Sequence, residues 1–131
     1  MTPTAVVLDS GALVAIERGD DMVRAFVQVA VGRGRTLVVP APVVAEVWRG
    51  GVGRQARLAR FLVAGVRRGH VAVEPLDFAA AREVGLLLAR ADVSVADAAV
   101  AWAAVRRNGI VLTSDPNDIG RLLPPTRIEA I

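Results

Sequence analysis

Short apolar runs alternate with amphipathic segments along the whole chain. Runs rich in β-branched residues predict strands at residues 5–8, 36–39, 71–73 and 110–113, and residues 127–130 could add an edge strand. Periodic segments predict helices at residues 12–17, 22–31, 43–49, 55–68, 78–91, 95–107 and 116–122. Strands that alternate with helices need crossover connections, so the pattern predicts a mostly parallel sheet within a single α/β domain over residues 1–131.

The composition agrees with one buried core and narrows the chemistry. Hydrophobic residues make up 53% of the 131 residues, which excludes a largely disordered chain. All the basic residues are arginine and the formal net charge is only +3, so a nucleic-acid partner has to be argued from where the arginines lie. There is no cysteine, which excludes disulfides, thiolate metal sites and cysteine nucleophiles. We see no signal peptide and no uncharged stretch long enough to span a membrane, so the cytoplasm is the expected compartment.

Carboxylates recur as the only charges in otherwise apolar segments. Asp9 lies in residues 1–16, Glu46 in residues 36–48 and Asp97 in residues 93–105, while Asp115 and Asp118 follow the apolar run 108–114. An unpaired carboxylate in an apolar interior costs several kcal/mol, so a compensating positive charge is expected near each one. Ligands collect beyond the carboxyl ends of parallel strands, and two of these acids, Asp9 and Asp115, lie just beyond the ends of predicted strands.

Each acid also has a structural explanation when it is taken alone. Asp9 could cap a helix, and the segment from Asp115 to Asp118 has the pattern of a helix N-terminus. Glu46 could form a salt bridge with an arginine. Asp97 is harder to explain in this way, because no arginine lies within a turn or two on its face of an almost wholly apolar helix. One shared metal site would explain all of them together.

The kind of ligand indicates the kind of metal and the reaction. Oxygen ligands without cysteine or histidine suit Mg²⁺ or Mn²⁺ rather than zinc or copper. One or two such ions can activate a water and offset charge on a phosphate, which hydrolyses a phosphodiester without a histidine base. His70 is the only histidine, and we expect it in an exposed turn. A ribonuclease that uses the sugar hydroxyl and a pair of histidines is therefore excluded.

Four sequence blocks together resemble the PIN domain, and within it the VapC-type toxins of bacterial toxin–antitoxin pairs. The blocks are VLDSGAL around Asp9, PVVAEVWRG around Glu46, SVADA around Asp97, and GIVLTSDPND, which ends at Asp118. Each block is weak by itself, but the four in this order within one short chain are specific. The resemblance implies a PIN-like, three-layer α/β/α fold with a five-stranded parallel sheet.

The resemblance also implies an activity, site residues and partners. It implies an endoribonuclease dependent on Mg²⁺ or Mn²⁺, a small cognate VapB-like antitoxin whose tail blocks the acidic groove, and a homodimer. The family's acidic set falls on Asp9, Glu46, Asp97 and Asp115, with Asp118 as an auxiliary metal ligand. Its supporting polar positions are Ser10 and Thr113. One departure is Ile119, since an aromatic residue often follows the last aspartate in this family, and the position concerns packing rather than ligation.

Other functions compete with a ribonuclease. A phosphorylated receiver domain needs a lysine, and the chain has none. A haloacid-dehalogenase-like phosphatase needs a second aspartate two residues after its nucleophile, where this chain has Gly11. A PIN-like module that binds RNA or protein without cleaving anything stays open. If the chain is a nuclease that uses water as the nucleophile, its products carry a 5′-phosphate and a 3′-hydroxyl.

Overall fold

The computed structural model describes residues 3–131, and residues 1 and 2 of the first apolar segment lie outside this range. The strands are β1 (Ala5–Leu8), β2 (Thr36–Pro40), β3 (Val71–Glu74), β4 (Gly109–Thr113) and β5 (Ile128–Ala130). The helices are α1 (Ser10–Arg18), α2 (Asp21–Gly32), α3 (Ala41–Val47), α4 (Ala56–Arg68), α5 (Phe78–Leu88), α6 (Val95–Arg106) and α7 (Pro116–Ile119). Short 3₁₀ turns occur at Gly53–Gln55 and Pro125–Arg127.

The five strands form one sheet in the order β3-β2-β1-β4-β5, and every pair is parallel. This confirms the predicted α/β architecture and the edge strand near the C-terminus. β1 lies in the centre between β2 and β4, and its four residues are all buried. A strand covered on both faces needs a continuous apolar run, which is why residues 5–8 do not alternate in polarity. The residues that follow β1, β2 and β4 therefore lie together at the edge of the sheet where the carboxyl ends of the strands meet.

Helix α6 forms the centre of the layer on one face of the sheet. It contacts β1, β2 and β4, and seven of its residues are buried. Four of the seven are Ala98, Ala99, Ala103 and Ala104, whose small side chains let the helix lie close to the strands and to α5.

None of the helices in residues 3–131 is long and apolar enough to cross a membrane.

Three predicted helix ends are wrong by a few residues. Helix α3 stops at Val47 rather than at residue 49, because Trp48 is extended and the Arg49 amide donates to a side chain, that of Gln55. Helix α5 stops at Leu88, and the next residues form a turn. Helix α7 is a single turn, since residues 120–123 close irregular turns in place of a second helical turn. None of these differences moves a predicted site residue to another edge of the sheet.

Candidate active site

The carboxylates predicted from the sequence gather at the carboxyl edge of the sheet. Asp9 follows β1 and Asp115 follows the adjacent strand β4. Glu46 lies on α3, which begins directly after β2, and Asp97 lies in the first turn of α6. Asp118 lies in α7, which begins one residue after Asp115. Parallel β1 and β4 in register bring the two loops together, as the backbone bond from Asp9 N to Leu112 O (3.3 Å) shows.

Asp9 is the buried acid of the group, with 5% of its surface exposed. Its Oδ1 accepts a 2.9 Å hydrogen bond from the amide of Ala12, so it caps α1 as the structural explanation predicted. Its Oδ2 accepts a hydrogen bond from the hydroxyl of Thr113, and the amide of Ser114 also donates to the carboxylate. Burial raises the pKa of Asp9, these hydrogen bonds oppose the rise, and the charge of Asp115 adds to it.

Thr113 connects Asp9 with the second loop. The threonine is fully buried, and while its hydroxyl donates to Asp9 it accepts a 2.8 Å hydrogen bond from the amide of Asp115. The Asp115 carboxylate in turn caps α7 through the amide of Asp118 (3.3 Å). One hydroxyl therefore orients both a buried acid and the start of the loop that carries two more acids. The prediction that Thr113 is a supporting polar residue is consistent with these contacts.

Asp115 and Asp118 lie close enough to interact strongly. A hydrogen bond with the Asp115 side chain raises the pKa of Asp118, with smaller contributions from burial and from the negative charge of Asp115. Arg121 Nη1 approaches Asp118 Oδ1 at 3.9 Å, which is a weak surface pair. A bound cation would offset the repulsion between these two carboxylates.

Asp97 is half-buried at the beginning of α6. The hydroxyl of Ser94 accepts a 3.0 Å hydrogen bond from the Asp97 amide, and the two side chains also hydrogen-bond each other. Burial raises the pKa of Asp97 most, and the charges of Asp118, Asp115 and Asp9 raise it further. Because charges act on one another in this way only at short range, Asp97 belongs to the same acidic group. Among residues 3–131 no arginine forms an ion pair with it, as the sequence predicted.

Glu46 joins the group through Ser10. The Ser10 hydroxyl donates to Glu46 Oε1 at 3.0 Å, and Ser10 directly follows Asp9. The alternative explanation for Glu46, a salt bridge with an arginine, is wrong within the part of the chain that the structure describes. Glu46 is exposed and its second oxygen, Oε2, has no hydrogen-bond partner among residues 3–131.

The side-chain oxygens of the site suit a hard cation, although they do not form a complete coordination sphere. Within residues 3–131 no three acidic or histidine side chains converge as ready-made metal ligands. Ionised carboxylates repel one another, so a loose arrangement is expected before a cation binds. All the candidate ligands are oxygens, and the buried Asp9 has no cationic partner in the described residues. This is the chemistry that Mg²⁺ and Mn²⁺ select.

Gly11 allows the two loops of the site to approach each other. A Cβ atom at Gly11 would lie 1.8 Å from Ser114 Oγ and 2.6 Å from Ser114 Cβ. The hydroxyl could rotate away, but the Cβ of Ser114 could not. Only glycine at position 11 therefore leaves room for Ser114, whose backbone amide donates to Asp9.

We expect Gly11→Ala to reduce the free energy of unfolding by about 1–3 kcal/mol, the usual cost of forcing a methyl into a packed contact. The additional change Ser114→Gly removes both clashing atoms and should recover most of the loss. Urea unfolding of the two variants measures the effect. Gly85→Ala is the matched control, because no atom lies within 4 Å of the added Cβ in α5. Equal destabilisation in G11A and in the G11A/S114G double variant would show that the close approach is unimportant.

Two residues that contact the acids, Ser94 and Ser114, were not among the predicted site residues. The interval from Ser94 to Asp97 is a capping-box spacing, so a signal for Ser94 was present in the sequence. Ser114 had no comparable signal, because its contact with Asp9 depends on the register of β1 and β4. The prediction that His70 is exposed is confirmed, and the two tryptophans, Trp48 and Trp102, are partly buried against the core.

Solved structures with this fold include proteins of toxin–antitoxin systems. A chain of DNA-bound VapBC2 from Rickettsia felis superposes with a TM-score of 0.70 at 16% identity, covering 97% of this chain and 98% of that one. A chain of DNA-bound VapBC from Salmonella typhimurium also gives 0.70 at 20% identity, with 96% and 97% covered. VapC20 of Mycobacterium tuberculosis, a toxin that cleaves the sarcin–ricin loop, gives 0.55 at 16% identity, with 79% and 84% covered.

These likenesses show a shared fold. No curated protein sequence matches the chain significantly. The family model of the PIN domain matches residues 6–122, a range that contains the five carboxylates described above. The chain therefore belongs to the PIN domain family.

Proposed function

We propose that this chain is a Mg²⁺- or Mn²⁺-dependent endoribonuclease and the toxin of a toxin–antitoxin pair. PIN-domain toxins of the VapC type are generally nucleases, which supports the general class. The observation that carries the proposal is the buried Asp9: three donors orient it, no cationic side chain among residues 3–131 pairs with it, and Asp115 and Asp97 lie within electrostatic range. A fold that needed this acid only as a helix cap would not gather the others around it.

We assign Asp9, Asp97, Asp115 and Asp118 as the residues that hold the cation. When bound, a divalent ion would lower the pKa of a water and offset the charge of the scissile phosphate. Thr113 and the amide of Ser114 keep the Asp9 carboxylate in one orientation, so little reorganisation is needed when the substrate arrives.

Glu46 is the candidate proton acceptor. Ser10 fixes its Oε1, and Oε2 is available to take a proton from the attacking water as the water oxygen bonds to phosphorus. The bond from phosphorus to the 3′-oxygen then breaks, that oxygen takes a proton from solvent water, and Glu46 returns its proton to solvent. The products are a 5′-phosphate and a 3′-hydroxyl. The catalytic acids that we propose are therefore Asp9, Glu46, Asp97 and Asp115.

Incubating RNA with the purified chain and Mg²⁺ or Mn²⁺ tests this function. We expect cleavage that stops on addition of a chelator, and new ends that accept a ligated adapter at the 5′-phosphate without prior treatment. Sequencing of the ends in total RNA after induction would also identify the target. Products with 2′,3′-cyclic phosphates, or cleavage that survives chelation, would contradict the proposed chemistry.

A second surface supports an antitoxin as the partner. A cavity of about 550 Å³ lies between α2 and α4 and has an apolar lining that includes Val27 and Phe61. Its rim carries Arg24, Arg57, Arg60 and Arg68, and none of these forms an ion pair within residues 3–131. An acidic segment with apolar side chains would complement this cavity in charge and polarity, while a tail reaches the acidic groove. A neighbouring short reading frame that encodes a DNA-binding protein would support this pairing.

A homodimer remains part of the proposal. An exposed apolar groove of about 440 Å³ between α3, α4 and the edge strand β3 is lined by Val63, Val66, Val73 and Trp48 among others, and a second copy could cover it. The cytoplasm, where the RNA substrates of such a nuclease are found, remains the expected compartment.

The alternative function, a binding module without nuclease activity, predicts RNA or protein binding that does not depend on divalent ions.

A further inference from the structure

The amide of Gln55 uses all of its hydrogen-bonding capacity at the junction of three elements. Its Nε2 donates to Glu17 Oε1 (2.8 Å) and to the carbonyl oxygen of Val47 (2.6 Å). Its Oε1 accepts from the amides of Arg49 (2.7 Å) and Gly51 (3.4 Å). Two donors and two acceptor lone pairs are the complete inventory of a glutamine side chain. A side chain engaged in this way fixes the positions of its partners relative to one another.

The partners of Gln55 lie on the two helices that carry acids of the site. Glu17 lies on α1, whose first turn holds Ser10 next to Asp9. Val47 is the last residue of α3 and directly follows Glu46. Helices α1 and α3 contact each other, and the bond between Ser10 and Glu46 is the other polar link between them within residues 3–131. Gln55 therefore links the C-terminal end of α3 to the C-terminal end of α1, while Ser10 links it to the N-terminal end of α1.

Helix α3 needs such an anchor. It has seven residues and no side-chain cap at its N-terminus. The loop that follows contains Gly50, Gly51 and Gly53, all with positive φ values, so this part of the backbone loses much conformational entropy when it becomes ordered. The Arg49 guanidinium also donates to the Trp48 carbonyl (2.7 Å), which adds a second contact at the end of α3. The Gln55 amide replaces the backbone partners that this glycine-rich loop lacks.

We propose that Gln55 is a positioning residue for Glu46: its amide holds the end of α3 against α1 and so keeps Glu46 beside Ser10. The proposal rests on the proposed function, because Glu46 is there the proton acceptor. Protein groups occupy the donors and acceptors of Gln55, so we place its effect on the reaction in the position of Glu46.

The variant Gln55→Met tests the proposal, because it keeps the length of the side chain and removes its hydrogen bonds. We expect kcat for RNA cleavage to fall on the order of 10- to 100-fold, the range for displacing a reacting group by about an ångström, with KM changed less than about twofold. Gln28→Met is the matched control, since Gln28 is exposed on α2, and it should leave both constants unchanged.

A double-mutant cycle with Glu46→Gln separates positioning from a general loss of stability. If Gln55 acts through Glu46, E46Q/Q55M should cleave no more slowly than E46Q alone, within about twofold. A purely structural role would slow the reaction by the same factor in both backgrounds and would overturn the proposal.

Exchanging the acid of Glu17 and the amide of Gln55 provides a rescue experiment. Gln55→Glu places a carboxylate against Glu17 and should reduce kcat at least as much as Q55M. The double variant E17Q/Q55E restores a donor and an acceptor between residues 17 and 55 but lacks the donor to the Val47 carbonyl, so its kcat should rise above that of Q55E without reaching the wild-type value. Failure of this rescue, with an unchanged melting temperature, would contradict the role of the link to α1.

Hydrogen exchange provides a readout that is independent of activity. In Q55M without added metal, the amides of Arg49 and Gly51 and those at the end of α3 should exchange at least about tenfold faster, while α4 and α6 keep their protection. Unchanged exchange would overturn the proposal. If the wild-type chain cleaves no RNA, the proposed function fails, and the exchange data alone then decide whether Gln55 orders α3.

Discussion

Replacing Asp97 with asparagine is expected to reduce metal-dependent RNA cleavage by on the order of 10²- to 10³-fold, the usual cost of removing one preorganised charge-stabilising group from an active site. Asparagine has nearly the same shape, and the hydrogen bond from the residue 97 amide to Ser94 does not involve the side chain that changes. The loss therefore reports on charge. Initial rates with a defined RNA at saturating Mg²⁺ measure it.

The same substitution should not weaken the fold. Because burial and three neighbouring acids raise the pKa of Asp97, its ionised form is unfavourable in the metal-free protein, and the neutral amide removes that penalty. The control is Asp21→Asn, an exposed first-turn aspartate of α2 away from the site, which should keep full activity. Wild-type rates in D97N, or an equal loss in D21N, would contradict the assignment of Asp97.

Divalent metal should stabilise the folded chain, and Asp9 should be required for that effect. A ligand at 100 times its Kd adds about 2.7 kcal/mol to the free energy of unfolding, which raises the melting temperature of a chain of this size by roughly 10 °C. We expect this rise for the wild type in Mn²⁺ and its loss in Asp9→Asn, because the variant removes the buried carboxylate. Differential scanning calorimetry with Mn²⁺ and with chelator measures both.

The control variants for Asp9 share its local geometry. Asp20 and Asp77 also cap helices, through 3.0 and 2.9 Å bonds from the amides of Val23 and Ala80, but they lie outside the acidic group. Asp20→Asn and Asp77→Asn should keep the full rise with Mn²⁺. A wild type without any rise, or a D9N variant that keeps it, would show that Asp9 serves only as a cap.

The pH dependence in chelator follows from the raised pKa of Asp9. Its ordinary value is 3.8, and burial raises it in the folded state. The contribution of Asp9 to stability is therefore fully present below the unfolded pKa and is lost as the pH rises through the folded pKa. We expect the difference in stability between D9N and the wild type to shift in favour of D9N over that interval, and Mn²⁺ to offset the shift. A difference that is independent of pH would contradict the raised pKa.

Much of the site could be predicted because its acids follow local signals. Asp9 and Asp115 end recognisable strands, and parallel strands place their carboxyl ends at one edge. Asp97 was identified by its isolation on an apolar helix. The capping explanations for Asp9 and Asp115 and the site explanation are compatible, since each carboxylate caps a helix with one oxygen and has a second oxygen for other partners.

The remaining features depend on contacts between distant residues, which periodicity does not encode. Gln55 meets Glu17 across 38 positions, and Ser10 meets Glu46 across 36. The need for glycine at position 11 arises from Ser114, on a different loop. The end of α3 was predicted too late for a more local reason: the Arg49 amide donates to the side chain of Gln55, six positions later, rather than to a carbonyl of the helix.

The most direct test of the shared metal site is a crystal structure of the chain soaked in Mn²⁺, with anomalous diffraction used to locate the ion. A shared site predicts an anomalous peak bound by carboxylate oxygens of Asp9, Asp97 and Asp115 or Asp118, at distances of about 2.0–2.3 Å for a hard cation. A crystal at millimolar Mn²⁺ with no peak at the carboxyl edge of the sheet, or with ions held only by other acids, would contradict it.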